Sequence, residues 1–172
     1  LGGANTYTGS TVINAGTLQV GAGGTSGLLG RSDVTNNGTL SFYRSDTVTL
    51  TNLIAGTGSL IQNGSGVLIL TNNNLYTGST LVNAGTLRIG AGGTVGQLGA
   101  GDVNNSSVLV FSRSDVVTVT NRVTGAGQMI QFGSGTLIVT NNNTISGLTT
   151  VSNGVLQLGD GGTCGALGTG DL

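Results

Sequence analysis

The chemistry available to this chain is narrow, because few of its 172 residues can carry any. There is no His, and reading the rows there is no Lys or Glu either. The five basic residues are Arg31, Arg44, Arg88, Arg113 and Arg122, and the six acids are all Asp. Paired carboxylates for glycoside hydrolysis stand about 5 to 9.5 Å apart across a bond. Asp33 and Asp46 are too close along the chain to take equivalent places on neighbouring turns. Asp33, Asp102 and Asp171 are one position repeated at a constant offset of 69. Lyase chemistry would want a strong base or an acidic calcium cluster, and the residues for either are missing. Cys164 is the one thiol. With no His to activate it, it is expected to be a small buried hydrophobe. No catalytic, cofactor-binding or metal-ligating residue is assigned, and the chain is not expected to be an enzyme.

The remaining candidates are decoration. Arg-Ser-Asp occurs at 31–33, 44–46 and 113–115, and Arg44-Ser45-Asp46 returns as Arg113-Ser114-Asp115. A local Arg–Asp pair at a turn is worth little on a surface; as an adhesive group it would need to be repeated, and at 100–102 the second copy reads Ala-Gly-Asp. Thr-x-Thr at Thr47, Thr49 and Thr51 and at Thr118 and Thr120 is strand chemistry rather than an ice-binding array. The Gly-Asp stretches near the end do not match a calcium nonapeptide repeat. Scattered Arg and a net charge of −1 exclude phosphate-backbone binding, so no nucleic-acid partner is expected.

What must position these residues is a repeat. Tyr7-Thr-Gly-Ser-Thr11 returns at 76–80, Asn14-Ala-Gly-Thr-Leu18 at 83–87 and Gly64-Ser-Gly66 at 133–135, and the offset is 69 each time. The expected organisation is a single segment over 1–172, with units 1–69 and 70–138 and a partial unit 139–172. Inside the unit a Gly-x-Leu-x-apolar pattern places Leu18, Leu40, Leu68 and Leu87 at successive steps of 22, 28 and 19. That rhythm predicts about three coils per unit, at about 20–28 residues each. Polar and apolar residues alternate locally, as in Thr47-Val48-Thr49-Leu50, and this is the signature of half-buried strand. Gly makes up 34 of the residues, so helix is disfavoured throughout. A fixed period of strands and turns predicts a parallel β-solenoid, all-β, with inward Leu, Val, Ile and Phe stacked along its axis. Equivalent Asn residues are expected to stack at the corners and share amide hydrogen bonds. A β-sandwich or barrel is the alternative, and it would need no period held in register.

Residues 1–21, with their Asn-Thr-Tyr-Thr-Gly turn and closing Gly-Thr-Leu-Gln-Val, resemble the passenger-associated repeat of bacterial autotransporters. The stretch from Gly64 through Tyr76-Thr-Gly78 to Ile89 resembles it again, and a third copy is altered at Ile145-Ser146-Gly147. The resemblance implies a right-handed parallel β-helix in a secreted or surface-displayed passenger of a bacterial cell. Its partner would be a C-terminal outer-membrane β-barrel in the parent chain. The implied role is a stalk or shaft that aids export and presents an adhesive or effector region. Two alternatives stand beside it: a binding module that contacts host surface or matrix, and a filament in which the chain stacks on itself end to end. The chain starts inside the pattern without a Met, and is read as a piece of a longer protein.

Overall fold

The computed structural model describes residues 1–172 and contains twenty short parallel strands and no helix. Each strand is two to four residues long, because Gly, Asn or an Arg-Ser-Asp turn interrupts every alternating run. Such a strand cannot stand alone. It is held by the strand one coil below and the strand one coil above, at about 4.8 Å spacing.

The chain visits three sides in turn. On the first side Thr47–Leu50, Val67–Leu70, Thr86–Ile89, Val108–Phe111, Gln128–Gln131 and Thr149–Val151 are stacked in that order. The third side is an unbroken sheet running from Thr17–Val20 to Thr144–Ile145. The second side has a seam. Its lower sheet ends with Leu75–Tyr76 and a single bridge from Asn73 to Gln97, and its upper sheet begins at Val116–Val119. The same seam recurs on the first side, between the bridge from Ala4 to Leu28 and the strand Thr47–Leu50. The coil from Val67 to its register partner Thr86 is short, and the one from Ala4 to Leu28, which carries a Gly-rich excursion, is long.

The register sharpens the coil count. Leu40 pairs with Leu60 on the third side, whereas Leu68 pairs with Val48 and Leu87 on the first. The step of 28 from Leu40 to Leu68 therefore changes side, and is not a coil. Each repeat unit holds nine strands and one bridged segment, ten sides in all, which is three coils and a third. Equivalent residues of successive units consequently sit about a third of a turn apart around the axis. Asp33 precedes a strand of the second side, Asp102 one of the third, and the Asp171 carbonyl meets Thr149 on the first. They never face one another.

The expected sharing of amide hydrogen bonds between stacked corner Asn residues is met at one corner and does not extend into a ladder. Asn83 donating to Asn63 Oδ1 at 2.8 Å is an amide pair between neighbouring coils. Most corner Asn side chains bind backbone instead. Asn74 Oδ1 accepts from the Ile54 amide, and its Nδ2 donates to the Gln97 carbonyl.

The interior is one continuous cluster of buried side chains, with ladders such as Val48, Leu68, Leu87, Leu109 and Met129. Polar residues turned inward are satisfied locally: Gln62 donates to the carbonyls of Gly64 and Gly66. At the corners the backbones nest so closely that a Cβ on Gly66 would overlap the Asp46 carbonyl oxygen, and one on Gly85 the Gly66 carbonyl. This close stacking, more than backbone freedom alone, explains the glycine content.

Candidate functional site

The most organised polar group is the repeated Arg–Asp pair, whose guanidinium is buried and whose carboxylate lies toward the surface. Arg113 follows the strand Val108–Phe111 and is buried. Its Nη1 donates to the Gly96 carbonyl at 2.9 Å and its Nη2 to the Thr94 carbonyl at 2.6 Å. Nε and Nη2 also grip the Asp115 carboxylate side-on, at 2.8 and 2.6 Å. Arg44 does the same one unit earlier, reaching the Gly27 and Thr25 carbonyls and both oxygens of Asp46. Each guanidinium thus fastens the Gly-rich excursion of the coil beneath it, where no strand ladder forms. The planar fork satisfies carbonyls that would otherwise be left unpaired. The hydrogen bonds from Arg44 and Arg113, and then their charge, hold the Asp46 and Asp115 carboxyls below the ordinary carboxylate value. The pair is therefore more than the weak surface contact expected from its spacing, and it is committed to structure. Arg31, which lacks a counterpart in the second copy, forms no ion pair.

Beside each excursion the seam opens as a cleft. The lower one, about 570 Å³, lies between Leu28–Arg31 and Val48–Asn52; the upper, about 210 Å³, lies between Gln97–Ala100 and Thr120–Asn121. Asn52 and Asn121 staple the two clefts. Asn121 Nδ2 donates to the carbonyls of Gly99 and Gly101 at 2.7 and 2.6 Å, and Asn52 Nδ2 to those of Gly30 and Ser32. The lining of both clefts holds one ionisable side chain, Arg31, and no carboxylate. Neither cleft contains an acid and a base that could share a proton.

In the second copy of the Tyr-Thr-Gly-Ser-Thr motif the first and last side chains turn inward. Tyr76 is fully buried and shares a hydrogen bond of 2.7 Å with Thr80 Oγ1. Burial pushes its phenol above the ordinary value, the bond to Thr80 pulling the other way. Tyr7 keeps the matching bond to Thr11 on the first coil. Cys164 departs from expectation: it is exposed, in the third Gly-rich excursion. At the two earlier equivalents Ser26 and Val95 are exposed as well, so the position belongs to a loop tip and not to the core.

One grouping was not visible in the linear sequence. On the outer wall of the first side, Ile69, Arg88, Val110 and Ile130 stand in register on consecutive coils. Arg88 lies over the Phe132 ring, 5.3 Å from its centroid. Only the pairing register could have brought these residues together.

Comparison with known proteins agrees with this architecture. The family model described as Passenger-associated-transport-repeat matches residues 1–20, 60–89 and 129–158, and the last two matches are separated by one full repeat. The adhesin BmaC autotransporter of Brucella suis biovar 1 (strain 1330) is 38% identical over an alignment covering 98% of this chain. The chain spans about 7% of that protein's length. No solved structure matches. The chain belongs to the autotransporter passengers built on passenger-associated-transport repeats, and its place is the cell surface or the extracellular medium.

Proposed function

We propose that this segment is a length of shaft in an autotransporter passenger, joined through its parent chain to an outer-membrane β-barrel. The observation that carries the reading is the use made of the polar groups. Arg44, Arg113, Asn52 and Asn121, the best-positioned donors in the chain, all bind backbone carbonyls of the coil below. They hold coils together, and in this reading the segment has a structural and not a catalytic role. The third-turn offset supports the same reading, because it spreads each repeated feature around the rod instead of along one working face.

Export fits the physics of the fold. Each coil contacts its immediate neighbours, so an arriving thread can add coil upon coil outside the membrane. The chain has no disulfide to close and no Pro to isomerise.

The relative named as an adhesin favours a second reading, in which the segment itself binds host surface or matrix. The test is removal of one full repeat unit from the parent protein. As a shaft, the passenger stays displayed and its distal part moves closer to the cell by about 16 Å, at about 4.8 Å per coil. Loss of ligand binding with display and the distal region intact would instead make the segment a binding module. Growth of particle size with concentration in light scattering would support end-to-end filaments.

A further inference from the structure

The two full units present the same spot on two different sides, and the residues there have diverged. In the first unit, on the third side, Gln19, Thr39, Ser41 and Asn63 form a polar surface in which Asn63 donates to Ser41 Oγ at 3.1 Å. In the second unit, on the first side, the same positions are Arg88, Val108, Val110 and Phe132. The coil beneath adds Val67 and Ile69 to this wall, and the coil above adds Ile130. Four polar positions have thus become one cation, two aliphatics and an aromatic. All four lie on one stretch of wall, next to aliphatics already there.

Arg88 is the only charged residue on the outward positions of this side. It forms no ion pair. Nη2 donates to Ser112 Oγ at 2.7 Å, Nε is buried without a partner, and Nη1 makes no hydrogen bond. Phe132 is half exposed and holds the guanidinium plane from one flank. The wall is flat, with side chains about 6.6 Å apart along a strand and about 4.8 Å apart between coils. An extended chain laid across the coils, its alternate residues about 6.6 Å apart, meets Ile69 on one side of Arg88 and Val110 and Ile130 on the other.

From this we infer that the outer wall around Arg88 is a docking surface for an extended polypeptide of a protein partner, one whose outward residues are aliphatic around a single Asp or Glu. The carboxylate meets the free face of the Arg88 guanidinium. The aliphatic neighbours lie on Val108, Val110, Ile69 and Ile130. A second copy of this chain is a poor occupant, because a symmetric contact would set Arg88 against Arg88 with no carboxylate on the wall. A sugar is a poorer occupant, since the side chains stacked directly above and below Arg88 are the aliphatic Ile69 and Val110, and Thr86 and Gln128 stand in the neighbouring row. The inference goes beyond the shaft reading and stands without it.

The test uses the whole chain immobilised in a binding assay. The probes are nine-residue peptides alternating Thr and Val, with Glu, Gln or Lys at the centre. The Glu peptide binds, the Gln peptide binds about tenfold to a hundredfold more weakly, as for loss of a charged hydrogen bond, and the Lys peptide does not bind. Replacing Arg88→Gln together with Phe132→Asn installs the residues that the first unit already accommodates. That variant keeps its β spectrum and loses the preference for Glu. Gln19→Ala, on the third side, leaves binding unchanged. Equal binding of the three peptides, no binding by any, a preference that survives in the double variant, or rod pairing through this wall in sedimentation would each overturn the inference.

Discussion

Replacing Arg113 by Met tests whether the guanidinium clamps hold the excursions. Met keeps the apolar stem and removes the fork. Two carbonyls of the coil below, those of Gly96 and Thr94, then lose donors at 2.9 and 2.6 Å. A hydrogen bond to a charged donor contributes about 1.5 to 3 kcal/mol when buried. The Thr94 bond is partly open to water and is weighted toward the lower end, and the exposed Asp115 carboxylate is left out of the sum. The loss is therefore about 3 to 4.5 kcal/mol, confined to the stretch from Gly90 to Ala100. In a solenoid such a loss stays close to the affected coil, because distant coils share no contact with it. Amide hydrogen exchange reads it directly. The Gly92 amide, bonded to the Ser112 carbonyl at 2.8 Å, and the Gln97 amide, bonded to Asn72 at 3.0 Å, should exchange about a hundredfold faster or more. The amides of Leu137 to Val139 should not change. Arg113→Lys should not restore protection, since one ammonium cannot span two carbonyls and a carboxylate. Unchanged exchange at Gly92 and Gln97, or full rescue by Lys, would refute the clamp.

The remaining expectations concern corners, protons and the loop tip. Gly66→Ala should destabilise the coil by about 1 to 3 kcal/mol or more, because its Cβ meets backbone; Gly93→Ala, which meets nothing within 4 Å, should be near neutral in the same denaturation series. The lowered carboxyls of Asp46 and Asp115 make the clamps pH-dependent in a fixed direction. Their contribution is complete above the unfolded value near 3.8 and fades as pH falls through the lower native value, so protection of the two excursions should hold from neutral pH to about 4 and drop below it. Asp115→Asn should flatten that profile at the second excursion alone. Cys164 should react fully with a thiol reagent in the folded chain; protection until unfolding would return it to the core.

Much of this fold was legible in the sequence for a simple reason. A strict period of 69 can be kept only where every copy meets the same neighbours, and alternating residues reveal which side chains turn inward. The third-turn offset was not legible, because the Gly-x-Leu-x-apolar pattern is the same on all sides; nothing about Leu40 and Leu68 tells which neighbour each one has. The Arg–Asp pair was found but undervalued. Its i, i+2 spacing shows the contact with Asp46 or Asp115, while the larger contact is with carbonyls 17 to 19 residues earlier, brought underneath by the coil. Cys164 was misplaced because residue type outweighed position, and the Ser and Val at its equivalents were the available signal. The wall around Arg88 needed the register, since its members come from four different coils.

The central claim is that the repeat unit makes three coils and a third around a three-sided rod. Oxidative cross-linking of paired cysteines, introduced in a Cys164→Ser background, tests it most directly. Ile69 and Arg88 face outward in register on adjacent coils of the first side. Their Cα atoms are about 4.8 Å apart, within disulfide reach. Ser41 and Ile69 would be stacked neighbours if the unit closed in three whole coils, but lie on different sides here. The account predicts rapid, near-complete closure of the 69–88 pair and none of the 41–69 pair in the folded monomer. Closure of the 41–69 pair, with the 69–88 pair left open, would contradict it.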